Sequence, residues 1–363
     1  MKPREVHGVV VVDKPRGPTS HDVVARMRRA LGTRRVGHAG TLDPMASGVL
    51  VVLAGEATKL APYLTAEDKR YEARVALGVA TDTLDAEGKP TETQPIPGWL
   101  AEEIAALADL AGGEREREDE VARQAPKIAA AIAAERGRRA QVPPAHSAIK
   151  VGGQRSYALA RAGQEVDLAA RAVEVRAMRL LAAAGGAAPE TPPTLDLELL
   201  VSKGYYVRSL ARDLGAQLGL PAHLVALRRT ASGAFTLERA AAVDAGSEAL
   251  RGALIPLEQA AALGLPTAKL TEEGARRARL GQRLRLADFT EAPPIGEGAA
   301  EEAAAAWLAP EGNLVAVGSA RRAGDEIQIS VLRGFSGAAA AGAEAERENA
   351  FAAGEERERG DKG

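Results

Sequence analysis

Gly37-His38-Ala39-Gly40-Thr41-Leu42-Asp43-Pro44-Met45-Ala46-Ser47-Gly48, running straight into the apolar segment Val49 to Leu53, sets one carboxylate in a turn ahead of a buried strand. Gly37, Gly40 and Gly48 tolerate positive φ or the close approach of another backbone. Pro44 fixes its own φ and steers Asp43 away from the helical region. The acid is therefore presented on a loop. Alone, Leu-Asp-Pro reads equally well as an ordinary turn with a solvated acid, so its neighbours have to decide.

Upstream, Val9 to Val12 is an unbroken apolar run ending in Asp13-Lys14-Pro15-Arg16-Gly17-Pro18, a buried strand that breaks into a loop. Thr19 or Ser20 can cap a helix carrying Val23, Val24, Met27, Ala30 and Leu31 on one face and stopped by Gly32. Downstream, Tyr71, Ala73, Val75, Leu77 and Val79 alternate with Glu72, Arg74, Ala76 and Gly78 as a strand, and Thr81 to Gly88 reads as a polar turn. Trp99 to Leu110 predicts a helix. Gly112 to Arg139 is charged and Ala-rich, with little apolar face beyond Ile128 and Ile132, and reads as an exposed helical insertion. After a Gly/Ala/Pro loop from Ala182 to Thr194, the alternation of Leu195, Leu197, Leu199 and Val201 predicts a strand. Ser202 to Arg208 leads from it into a helix through Leu210, Leu214 and Leu218 that Gly219 ends. In a smaller unit from about Leu265, Gly281 to Arg285, Asn313 to Gly318 and the alternating Ile327, Ile329 and Val331 suggest short antiparallel strands. From about Ser336 the chain loses periodicity and reads as a disordered acidic tail.

The chain has 363 residues, enough for one large domain, a small one and a tail. No apolar run approaches the ~20 residues of a membrane span, and the start lacks the pattern of a signal peptide, so a soluble cytoplasmic protein is expected. With no Cys, disulfides and thiolate metal sites are excluded, and the five His fall in no ligand spacing, so no metal is expected. The net charge of −2 hides an uneven distribution. Arg26, Arg28, Arg29, Arg34 and Arg35 precede the Asp43 loop; Arg136, Arg138 and Arg139 follow a Glu-rich stretch; Arg276, Arg277, Arg279, Arg283 and Arg285 cluster further on. Solvated, Glu-paired arginines explain any one cluster; three together lean toward an RNA partner.

Six motifs occur in a fixed order: Gly8-Val9 to Lys14-Pro15 with Gly17, the Gly37 to Gly48 loop, Lys69-Arg70-Tyr71, the Thr81 to Gly88 turn, Pro143-Pro144-Ala145-His146-Ser147-Ala148-Ile149-Lys150, and Ser202 to Arg208. In that order they resemble the tRNA pseudouridine(55) synthases of the bacterial TruB family, from about His7 to Phe235. Beyond Leu265 the chain is similar to the β-rich PUA-type RNA-binding domain that often ends these enzymes. The resemblance implies an α+β fold: a mixed, mainly antiparallel central sheet flanked by helices, the catalytic domain over 1–262, a PUA-like domain over 263–335 and the tail over 336–363.

It further implies isomerisation of one uridine in the T-loop of tRNA. The N1–C1′ bond is cut, the uracil turns and C5 rejoins C1′, with no cofactor, no obligatory protein partner and a monomeric enzyme acting on the T-arm stem-loop. Asp43 matches the catalytic aspartate, acting either by attack at C1′ or by proton abstraction toward a glycal. Arg208 matches an arginine that favours the ionised carboxylate. Tyr206 and Arg208, two apart on what reads as extended chain, leave it on the same face. Tyr71 matches a tyrosine that stacks on the flipped base, and His38 a histidine that fills the space the base vacates. Lys14 and Pro15 match a loop near the site, Asp85 a position that can contact RNA, and Leu227 an apolar wall of the pocket. His146 departs from the pattern, standing where Tyr is usual, so no tyrosine contact carries over there. A glycoside or nucleoside hydrolase would need a second carboxylate across the bond, for which Asp13 and Asp85 are candidates only by elimination. A non-catalytic RNA-binding protein would not need Asp43, Tyr71 and Arg208 together. A guide-RNA-dependent relative of the same superfamily is a further alternative as to substrate.

Overall fold

Val9 to Val12 and Val49 to Leu53 are apolar at every position rather than at alternate ones, which suits strands covered on both faces, and every one of these residues is buried. A computed structural model describes residues 6–107, 114–147, 149–164, 166–185, 192–297, 303–324 and 326–336 of the chain. The expected tail, beyond Ser336, lies outside the described residues, as do residues 186–191 of the Gly/Ala/Pro loop.

The central sheet contains β1 (Gly8–Lys14), β2 (Val36–Ala39), β3 (Ser47–Ala54), β4 (Lys69–Leu77), β5 (Val175–Ala184), β6 (Thr194–Val201) and β7 (Ala222–Ser232). Its order is β5-β6-β4-β7-β3-β1, with Ala241–Ala242 at the β1 edge. The neighbours β5/β6, β6/β4, β4/β7 and β3/β1 are antiparallel, while β7/β3 is parallel. The expected mixed, mainly antiparallel sheet is thus present. One edge of β3 is shared: Ser47 and Gly48 pair with β7, whereas Val51 to Ala54 pair with β2. The sheet forks at this point, and the Asp43 loop fills the fork.

α1 (Ser20–Leu31) is the helix expected beside this loop; Thr19 caps it reciprocally with Asp22, and Gly32 ends it in the left-handed region. A cap of this kind contributes ~1 kcal/mol. On the same face of the sheet lie α2 (Gly98–Ala106), α3 (Glu114–Gln124), α4 (Pro126–Arg136) and α5 (Val207–Leu218). The expectation of an exposed insertion from Gly112 to Arg139 needs correction. Ile128, Ala131, Ile132 and Glu135 of α4 are buried, because a period of three to four places them on one face against the core. Alanine-rich composition hid that stripe.

Residues Val9, Val11, Val49, Val51 and Leu53 form the opposite face with Phe235, α6 (Leu257–Gly264) and central strands of a second sheet. That sheet comprises β8 (Thr267–Leu270), β9 (Phe289–Glu291), β10 (Ile295–Glu297), β11 (Ala304–Leu308), β12 (Leu314–Ala323) and β13 (Glu326–Gly334). It is not purely antiparallel as expected, since β8/β11 and β10/β12 are parallel. Gly281 to Arg285 is not a strand; it follows α7 (Glu272–Arg279), which Thr271 caps. Among the described residues no helix is long and apolar enough to cross a membrane.

Candidate active site

Main-chain ties hold the Asp43 loop almost residue by residue. Leu42, Met45 and Ala46 are buried, and the Ser20 hydroxyl both donates to the Leu42 carbonyl (3.1 Å) and accepts from its amide (2.9 Å). The Gly17 amide and the Lys14 ammonium reach the Pro44 carbonyl at 2.8 and 3.4 Å, and a turn closes from the Ala46 amide to the Asp43 carbonyl at 3.1 Å. Gly40 and Gly48 have φ of 86° and 103° as the loop requires; Gly37 does not, being an ordinary residue of β2. The Asp43 side chain is left about one-third exposed.

Arg208 meets it there. Its Nε lies 2.8 Å from Asp43 Oδ2 and its Nη2 3.3 Å from Oδ1, a two-point contact from a guanidinium that is itself 8% exposed. The same group donates to the carbonyls of Thr83 (3.2 Å) and His146 (2.9 Å), so its orientation is fixed from three sides. At His146 the contact is main-chain, so the departure from tyrosine leaves it intact. Asp85 does not face solvent: it is buried, accepts from the Thr83 hydroxyl (2.6 Å) and the Glu87 amide (3.1 Å), and its Oδ2 lies 3.7 Å from Arg208 Nη1. It stands behind Arg208.

Tyr206 and Arg208 do not share an extended segment. Tyr206 is the N-cap of α5 and Arg208 already belongs to the first helical turn, because the apolar stripe Val207, Leu210, Ala211 and Leu214 draws the chain into helix at once. The Tyr206 amide donates to Gln141 Oε1 at 2.8 Å. Burial raises the Tyr206 phenol above its ordinary value against the opposing charges of Arg171 and Arg208, with Asp43 and Ser147 also in range. Asp43, Tyr206 and Arg208 are thus brought together.

Tyr71 is buried in β4, facing Leu199 of β6 and Arg229 of β7, and belongs to the core cluster that contains Leu42 and Leu227. Leu227 is nearly buried and opposite Ala73. The Lys14 ammonium, fully buried, also donates to the carbonyls of Pro15 (2.8 Å) and Pro18 (2.9 Å) and braces the loop through Pro44, whereas Pro15 itself is exposed. His38 lies edge-on to His21 with ring centroids 5.7 Å apart. Burial first, then His21 and Arg229, push its imidazole below the ordinary range, so it is neutral near pH 7. A cavity of about 760 Å³ bounded by Val121, Pro126, Ile132 and Leu180 does not include Asp43 in its wall.

Sequence reading assigned no role to Arg229, to Lys69 or to the Glu135–Tyr205 pair, although Lys69 and Tyr205 stand inside two of the six motifs. Arg229 is buried and binds the loop main chain. Burial, then the charge of Arg229, brings the Lys69 ammonium down to about 8. Two adjacent arginines on a strand were the available signal for Arg229, since one of them must face inward. Of the Arg clusters, those around Arg136 to Arg138 and Arg276 to Arg279 are engaged with Glu118, Glu135, Glu273 and Glu311, whereas Arg26, Arg29 and Arg34 are exposed.

The sequence model described as the TruB family pseudouridylate synthase N-terminal domain matches residues 28–118 and 102–207, and that of the tRNA pseudouridylate synthase B C-terminal domain matches 208–262. The first two segments overlap over residues 102–118. A tRNA pseudouridine synthase B of Thermobifida fusca is 42% identical over 90% of this chain and 99% of its own length. One of Leifsonia xyli is 45% identical over 85% and 91%. Among solved structures, a chain of an H/ACA ribonucleoprotein bound to a substrate RNA containing 2′-deoxyuridine superposes with a TM-score of 0.60 at 22% identity, covering 91% of this chain and 85% of that one. With the carboxylate loop, the α5 arginine and these matches in agreement, the chain belongs to the TruB family of pseudouridylate synthases.

Proposed function

We propose that the chain is an isomerase that converts the T-loop uridine of tRNA to pseudouridine, with Asp43 as the catalytic carboxylate. The observation that carries this reading is Asp43 itself: one partly exposed acid, fixed in position by its loop and held at two points by a buried arginine. Uridine and pseudouridine are isomers. N1–C1′ breaks, C5–C1′ forms, C5 loses a proton and N1 gains one, so the balance needs no co-reactant.

Within this reading Arg208 keeps Asp43 oriented and charged, and Tyr206 and Tyr71 contact the flipped base. Neutral His38 fills the space the base leaves, without acid–base chemistry. Leu227 forms an apolar wall, Lys14 supports the loop, and Asp85 orients Arg208. Water exclusion matters as much as position, because a hydrolysed glycosyl adduct would leave an abasic RNA. A hydrolase finds no second acid in Asp85, which is buried and committed behind Arg208. The second sheet serves as a PUA-like RNA-binding unit, and the enzyme acts as a monomer in the cytoplasm. Incubating the purified protein with an unmodified T-arm stem-loop and analysing the nucleosides is expected to give pseudouridine. Free uracil, or unaltered uridine, would overturn the reading.

A further inference from the structure

Where β3 changes partner from β7 to β2, the ladder leaves main-chain carbonyls without a strand neighbour, and a carbonyl buried unpaired is destabilising. The side chain of Arg229 occupies that gap. It is 1% exposed, and each of its three nitrogens is spent on a carbonyl of the catalytic loop or of the strand that follows it. Nε donates to Val49 at 2.7 Å, Nη2 to Gly40 at 2.9 Å and Nη1 to Thr41 at 3.4 Å. These carbonyls bracket Asp43 on both sides. Its main chain meets the same loop: Arg229 is bridged to Gly48, and a Cβ at Gly48 would fall 2.2 Å from the Arg229 carbonyl oxygen. Across β4 its register partner is Tyr71.

We propose that Arg229 is a positioning residue for the isomerisation, its planar fork fixing the Asp43 loop at the sheet fork in register with Tyr71. This rests on the function proposed above. A lysine keeps the charge but is a single donor centre on a flexible stem and cannot span three carbonyls. In the full-length chain, Arg229→Lys is expected to lower the single-turnover rate on the T-arm stem-loop about 100-fold, the scale of an ångström-size misplacement. Stem-loop affinity stays near that of the parent, and amide hydrogen exchange rises over residues 37–48 but not in β6. A merely structural role would instead raise exchange throughout the sheet and weaken binding in step with rate.

A rate near that of the parent, or unchanged exchange over residues 37–48, would overturn the assignment. Should the variant not fold, the parent decides: its Arg229 Nε–H is expected to exchange as slowly as core amides, and fast exchange would overturn the proposal equally. If the parent itself forms no pseudouridine, the functional reading fails while both exchange measurements still test Arg229.

Discussion

Asp43 and Arg208 divide the work at the level of single residues. The carboxylate is open enough to meet a substrate, while the guanidinium is buried and committed to two carbonyls, so the pair gives one mobile-facing and one fixed partner. Asp43→Asn removes the charge at constant volume. Pseudouridine formation is expected to fall more than about 1,000-fold, with stem-loop affinity retained; turnover near the parent value in a single-turnover assay would contradict the role. Arg208→Lys substitutes a point charge for a fork and is expected to slow the reaction about 100-fold, as one ammonium cannot serve Asp43, Thr83 and His146 together. Rate and affinity measured side by side distinguish this from lost binding.

Elements act through what they carry. α5 presents Tyr206 and Arg208 at its first turn, and that turn is tied to α4 by a buried contact: the Tyr205 hydroxyl donates to Glu135 Oε1 at 2.8 Å, while Arg138 engages the same carboxylate at 2.6 Å. Burial drives the Tyr205 phenol strongly upward, with Glu135 adding to the effect, so it remains a donor at every working pH. Tyr205→Phe leaves a fully buried carboxylate short of one donor and is expected to cost about 1–3 kcal/mol in urea unfolding, with a loss of activity as the α5 terminus loosens. Unchanged stability would show that the tie carries no load. The helix α4 that supplies Glu135 looked exposed in sequence because alanines occupy most positions around its two inward isoleucines, Ile128 and Ile132, and give little contrast between the buried and solvated faces.

Across the whole molecule the second sheet is joined to the central one through Glu56. Its nearly buried carboxylate contacts Lys59 at 2.5 Å and Arg35 at 2.7 Å and accepts from the Ser336 amide at 3.2 Å, and the Lys59 ammonium donates to the Gly334 carbonyl at 3.1 Å. Burial alone would raise its pKa, but the Lys59 hydrogen bond and charge, then Ser336 and Arg35, outweigh it and hold the group below its ordinary 4.5. A depressed carboxyl stabilises fully above its unfolded value and loses that contribution as pH falls through the folded one. The stability gap between the parent and Glu56→Gln is therefore expected to be level near neutrality and to shrink below about pH 4.5, read as urea midpoints at several pH values. A gap independent of pH would refute the junction's charge.

Local patterns were sufficient for the strands Val9–Val12 and Val49–Leu53, the capped helix after Thr19, the helix ended by Gly219 and the loop that presents Asp43, because each is set by short-range periodicity, caps and turn residues. Six motifs in order carried the family. Only the tertiary structure decided what the loop rests on. The fork at β3, the inward turn of Arg229 rather than Arg228, the retreat of Asp85 and Lys14 into supporting positions, and the burial of α4 all depend on contacts between residues far apart in the chain. No local propensity encodes which of two adjacent arginines meets a gap in a sheet; that follows from strand register, which is settled when the whole sheet closes.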